Sequence, residues 1–101
     1  MDDRYGRFGS LKTRPGCRED VIGILLSGVD GLRKAGCDLY VVATEPSDGV
    51  TIWVTEVWRT KKHHADSLQM SETKAAIAAA MPMLTGEFTS REMAVVGGLG
   101  V

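Results

Sequence analysis

The segment between residues 37 and 58 constrains the fold of this chain more than any other. Its two halves, CDLYVVAT (37–44) and TIWVTEVW (51–58), are rich in β-branched and apolar residues. Such runs favour β-strands, and the PSDG sequence at 46–49 that separates them is typical of a turn. The segment therefore predicts a β-hairpin.

Both faces of this hairpin are apolar. Strand alternation places Ile52, Val54 and Trp58 on one face and Trp53 and Val57 on the other. An antiparallel sheet that is covered by helices on one side normally carries polar residues on its free side. Either a second copy of the chain or a ligand must cover the second face. We expect two sheets to meet face to face as a homodimer, with a cavity between them.

The rest of the chain supplies two further strands and two helical regions. The residues expected in them are 5–12 for the first strand, 17–34 for one helix, 60–70 and 71–81 for a second helix broken in two, and 87–96 for the last strand. Thr60 is the expected cap of the second helical region, and Pro82 ends it. This β-α-β-β-α-β order predicts an α+β fold, a ferredoxin-like antiparallel sandwich, with one domain over residues 1–101.

Three glycines interrupt the first predicted helix, at Gly23, Gly28 and Gly31. Each weakens a helix by up to about 1 kcal/mol relative to alanine. We expect close approach of this helix to the sheet to explain them.

Charge and cysteine content exclude several classes of function. Twelve basic and thirteen acidic residues leave a net charge of −1, which argues against binding to nucleic acid. The start of the chain, MDDR, is acidic, and no apolar run is long enough for a membrane span. Cys17 and Cys37 flank the first predicted helix, too far apart for a disulfide. We expect free thiols in a soluble, cytoplasmic protein.

Glu56 and His64 are the candidate catalytic residues. Glu56 shares a strand face with Val54 and Trp58, where a carboxylate suits proton transfer; the alternative is a structural ion pair with an arginine or histidine. His64 lies on one helical stripe with Ser67 and Leu68, and histidine is the natural base near pH 7. A packed or capping histidine is the alternative.

Large aromatic side chains predict a pocket for a flat ligand. The residues expected to bind a small aromatic substrate are Trp58, Phe8, Trp53, Tyr40, Ser67 and Leu68. No His, Cys, Asp or Glu spacing fits a metal site, and the GGLG sequence at 97–100 opens no helix that could hold a phosphate. We expect no metal and no cofactor.

Two motifs carry a family resemblance. EVWRT at 56–60, followed by HADSL at 64–68, resembles the E-x-W…H-x-x-S-L signature of antibiotic biosynthesis monooxygenase domains. RPG at 14–16, MP at 81–82 and VGG at 96–98 also fall where similar proteins have them. The likeness covers nearly the whole chain.

The resemblance implies a dimeric α+β barrel and a monooxygenase that oxidises phenolic or quinol-type substrates with O2, without metal or prosthetic group. It implies proton transfer by His64 or Glu56 and ring packing by Trp58. Haem-degrading proteins of this fold use an Asn, a Trp and a His, and this chain contains no asparagine. Two alternatives remain: a noncatalytic barrel that binds a small apolar metabolite as a sensor or carrier, and a purely structural dimer without a cavity.

Overall fold

A computed structural model describes residues 4–101, so the acidic start formed by residues 1–3 lies outside the described residues. The chain forms one four-stranded sheet with helices on one face. Its elements are β1 (Tyr5–Thr13), α1 (Arg18–Ser27), α2 (Val29–Lys34), β2 (Cys37–Ala43), β3 (Thr51–Trp58), α3 (Lys61–Ser67), α4 (Ser71–Ala80), a 3-10 turn (Met81–Met83) and β4 (Leu84–Ala94). The predicted ferredoxin-like α+β fold is confirmed.

All strand pairs are antiparallel, and the strand order is β2-β3-β1-β4. Arg7 in β1 lies opposite Glu56 in β3 and opposite Glu92 in β4, and Tyr40 in β2 lies opposite Glu56. Because directly paired residues share a face, these four side chains form one polar row across the sheet. The row lies on the face that the helices cover.

Two small apolar clusters hold the helices to the sheet. Ile52 is fully buried against Val21 of α1 and Ala80 of α4. Trp58 packs with Tyr5 and Cys37 at the other end of the same face. Burying a side chain such as Ile52 stabilises the fold by about 1.5–3 kcal/mol. The two clusters anchor the ends of the helical layer and leave its middle less densely filled.

The first helical region differs from its prediction. It is two helices that meet at Gly28, whose backbone angles (φ −109°, ψ 12°) leave the helical region. The expected close approach to the sheet is also wrong, since a methyl group built at Gly23, Gly28 or Gly31 meets no atom within 4 Å. The last strand begins at Leu84 rather than at residue 87 and ends at Ala94.

Several local predictions are confirmed. The second helical region is broken between Ser67 and Ser71, and Thr60 caps its first part by accepting a hydrogen bond from the His63 backbone N–H at 3.1 Å. Cys17 and Cys37 are free thiols. No helix in the described part of the chain is long and apolar enough to cross a membrane.

The sheet face opposite the helices carries apolar side chains that no element fully covers. Phe8 and Trp53 stack there with ring centroids 5.4 Å apart. Phe8 is 38% exposed, and Val41 and Met93 on the same face are exposed to a similar degree. We call these four side chains the open face. The two-sided apolar character of the hairpin is thus present in the structure.

Gly9 sets the spacing between β1 and β4. A methyl group added there would collide with the Thr89 carbonyl oxygen and the backbone of Ser90. We expect Gly9→Ala to destabilise the fold by about 1–3 kcal/mol, as overpacking does in well-packed regions. Urea denaturation followed by circular dichroism measures this. The matched control Gly23→Ala meets open space and should stabilise α1 by about 0.5–1 kcal/mol. Equal stability of Gly9→Ala and wild type would contradict the observed strand spacing.

Candidate active site

A cavity of about 670 Å³ lies between the sheet and the helical layer, and all four helices contribute to its wall. The two-sided apolar hairpin predicts a cavity between two sheets, whereas this cavity lies within a single chain, on the opposite side of the sheet. The space between helices and sheet exists because several helix residues that face the sheet are small. Small ones, among them Gly28, Gly31, Ser67 and Ala76, line the cavity and leave its middle unfilled.

His64 projects from α3 into this cavity and is only 9% exposed. Its ring lies 5.5 Å from Trp58 in an edge-on arrangement and 5.5 Å from the Tyr5 ring. Burial lowers the pKa of His64 below its usual 6.5, although the nearby Glu56 charge acts in the opposite direction. The imidazole is therefore neutral at pH 7 and able to accept a proton.

Glu56 lines the same cavity from the middle of β3. Its Oε1 accepts a hydrogen bond from the Trp58 indole N–H at 2.9 Å, a contact between residues two apart on one strand face. The bond fixes the indole ring and the carboxylate relative to each other. The structure thus brings Glu56, Trp58 and His64 together at one site.

The remaining predicted substrate-binding residues divide between the two faces. Tyr40, Ser67 and Leu68 line the cavity. Phe8 and Trp53 do not line it, because they lie on the open face across the sheet. The Ser67 hydroxyl donates a hydrogen bond to the backbone carbonyl oxygen of His64 in the same helix at 2.6 Å.

Two other ionisable groups near the cavity stay protonated at neutral pH. Burial raises the pKa of the Tyr40 phenol, and the Glu56 charge raises it further. Burial also raises the pKa of the Cys37 thiol to about 11. Neither group can act as a base or nucleophile at pH 7. Within residues 4–101, no group of three His, Cys, Asp or Glu side chains is placed to hold a metal ion.

Arg7 also lines the cavity, although it is not among the residues that the sequence predicts for the site. Its guanidinium donates to the Tyr5 hydroxyl at 3.3 Å and to the Ser90 hydroxyl at 2.8 Å. A signal was available, because alternation along β1 puts Arg7 on one face with Tyr5 and Leu11. A charged residue between such neighbours on a helix-covered face is a candidate functional group.

The chain is similar to proteins of one known family. The family model described as antibiotic biosynthesis monooxygenase matches residues 5–79. The solved structure of a candidate antibiotic biosynthesis monooxygenase from Chloroflexus aurantiacus is 37% identical, covers 94% of this chain and 95% of that chain, and has a TM-score of 0.84.

Two more distant structures share the fold. Candidate antibiotic biosynthesis monooxygenases from Caulobacter crescentus (18% identity, 95% of this chain and 92% of that chain) and Nitrosomonas europaea (8% identity, 95% and 93%) both have TM-scores of 0.85. At these identities the likeness concerns the fold alone. No curated protein matches the chain significantly.

Proposed function

The chain belongs to the antibiotic biosynthesis monooxygenase family, and from this premise we propose that it is a cofactor-independent monooxygenase that oxidises a small phenolic or quinol-type aromatic substrate with O2. One observation carries the proposal: a buried, neutral imidazole, His64, faces a large cavity together with Trp58 and Glu56. A base inside a pocket of this kind is what phenol activation requires.

His64 removes the phenolic proton in the proposed reaction. The phenolate is electron-rich and transfers electrons directly to O2, and the resulting aryl peroxide loses water to give a quinone. A phenol and one O2 give a quinone and one water, so the substrate supplies all four electrons and one oxygen atom enters the product. The protein supplies proton transfer, orientation and exclusion of water. The Glu56 carboxylate favours the imidazolium that forms.

Trp58 supplies the aromatic surface on which the substrate ring packs. Its indole N–H is held by Glu56, so the ring keeps one orientation in the cavity wall. Offset or edge contacts between aromatic rings contribute about 0.5–1.5 kcal/mol beyond area burial. Tyr40 and Leu68 extend this apolar wall.

A homodimer of whole chains, each a single domain over residues 1–101, is part of the same proposal. The open face presents the Phe8–Trp53 stack with Val41 and Met93. A second copy covers this face with an identical one, as a two-fold interface requires. The free thiols Cys17 and Cys37 are in keeping with a reducing compartment and support the cytoplasmic location.

Oxygen consumption tests the proposed activity. Metal-free protein is incubated under air with a panel of phenols, naphthols and hydroquinones in an oxygen electrode, and we expect uptake above buffer with at least one of them. With ¹⁸O2 and a monophenol, one labelled oxygen should enter the quinone. No uptake above buffer across the panel contradicts the monooxygenase. Tight anaerobic binding without turnover would instead favour the apolar-ligand carrier, which the mostly apolar cavity wall supports.

A further inference from the structure

Arg7 carries a positive charge at the cavity, and no carboxylate within the described residues 4–101 neutralises it by direct contact. Within residues 4–101 its only side-chain partners are two hydroxyl groups, those of Tyr5 and Ser90. The ion pairs of the described chain involve other basic residues. A guanidinium has five N–H donors, and these two contacts leave donors free.

The two carboxylates that lie opposite Arg7 in the sheet are engaged elsewhere. Glu56 accepts from the Trp58 indole at 2.9 Å. Glu92 accepts from the Tyr5 hydroxyl at 2.5 Å and lies 3.4 Å from the Lys61 ammonium. Opposite charges that face each other across strands can pair and stabilise a sheet. Here both acids contact other groups instead, which leaves guanidinium donors of Arg7 available to a ligand.

The Arg7 guanidinium is also held in place. The Tyr5 hydroxyl and the Ser90 hydroxyl fix it from two strands, and Tyr5 is itself buried against Trp58. A preorganised guanidinium with free donors matches a carboxylate, which it binds through two parallel hydrogen bonds. Such a group in a wall that is mostly apolar points to an anionic substituent on the ligand.

We propose that Arg7 anchors a carboxylate of the substrate, which makes the preferred ligand class hydroxyaryl carboxylic acids. This inference rests on the proposed function for the hydroxyl group, which meets His64, while the carboxylate meets Arg7. Both residues line one cavity of about 670 Å³, which has room for a ligand of more than one ring. Arg7 is a specificity residue in this arrangement, and His64 remains the base.

Anaerobic binding of a matched ligand pair tests the assignment. The probes are 6-hydroxy-2-naphthoic acid and its neutral amide, with affinity measured by calorimetry and by tryptophan fluorescence. We expect wild type to prefer the acid by about tenfold or more, because hydrogen bonds between two charged groups are stronger than those to a neutral amide. Arg7→Gln should lose about 10–100-fold for the acid and less than about threefold for the amide. Arg7→Lys should recover part of the preference.

Arg59→Gln is the control, since Arg59 is exposed, pairs with Asp38 at 3.8 Å and does not line the cavity. It should keep the wild-type preference. Three results would overturn the assignment. Wild type could bind acid and amide equally well, Arg7→Gln could weaken the binding of both equally, or neither probe could bind at millimolar concentration. Thermal unfolding of each variant verifies that it is folded, and Arg7→Lys replaces Arg7→Gln if the latter is not.

The test also separates this inference from the proposed function. A preference for the acid without any oxygen uptake would support the Arg7 anchor and refute the monooxygenase activity.

Discussion

A His64→Gln variant is expected to lose about 10²–10⁴-fold in kcat for oxygen-dependent oxidation of a phenolic substrate, the range that a positioned general base contributes. Glutamine preserves polarity and approximate size but cannot accept the phenolic proton. Anaerobic ligand affinity should change little, because Trp58 and the apolar wall remain. Initial rates in an oxygen electrode and separate binding titrations measure the two effects.

The pH profile gives this prediction a second readout. Burial lowers the pKa of His64 below 6.5, so the imidazole is the neutral base at pH 7 and becomes protonated only at more acidic pH. The wild-type rate should fall as the pH falls through that lowered pKa and should level off towards neutral and alkaline pH. His64→Gln should lack this acidic limb.

His63→Gln is the matched control for the neighbouring histidine. His63 contacts the Thr60 hydroxyl at 2.7 Å through Nδ1, packs against Gly36 and does not line the cavity. The control should retain the wild-type rate and its acidic limb at temperatures where it is folded. A His64→Gln rate within about fivefold of wild type would exclude His64 as the base and shift attention to Glu56.

A Phe8→Asp variant is expected to raise the dissociation constant of the proposed homodimer by at least about 30-fold. Phe8 lies at the centre of the open face, on β1, and stacks on Trp53. Both copies would bury an unpaired carboxylate, and burying even an uncharged polar group without a partner costs about 1–3 kcal/mol in proteins. A tenfold change in dissociation constant corresponds to about 1.4 kcal/mol.

Sedimentation velocity over a range of protein concentrations measures this effect. Phe8→Leu keeps the face apolar and should remain dimeric. Phe88→Asp makes the same change at a β4 residue that is 74% exposed and pairs with Leu11, on the helix-covered side of the sheet. It should leave the dimer intact. A wild-type chain that stays monomeric at high micromolar concentration would contradict the interface.

Much of the fold could be predicted because its signals are local. The PSDG turn, the cap at Thr60 and the stop at Pro82 act within a few residues. The prediction of a single helix over 17–34 is wrong because the helix breaks at Gly28. The spacing of apolar residues does not show where a glycine will leave the helical conformation. Strand alternation, helical spacing and the motif resemblance together indicated Glu56, Trp58 and His64, which the structure brings to one cavity.

Alternation along the strands determined which residues share a face: Trp58 with Glu56, and Trp53 with Val57, as the register shows. It carries no information on which face the helices cover, because a period of two is symmetric with respect to the sheet plane. Only the tertiary structure decided that, and it placed the cavity beside Trp58 and put Trp53 on the open face. Only the tertiary structure also shows how Arg7 is held, because its guanidinium contacts Ser90 of β4, more than eighty residues further along the chain.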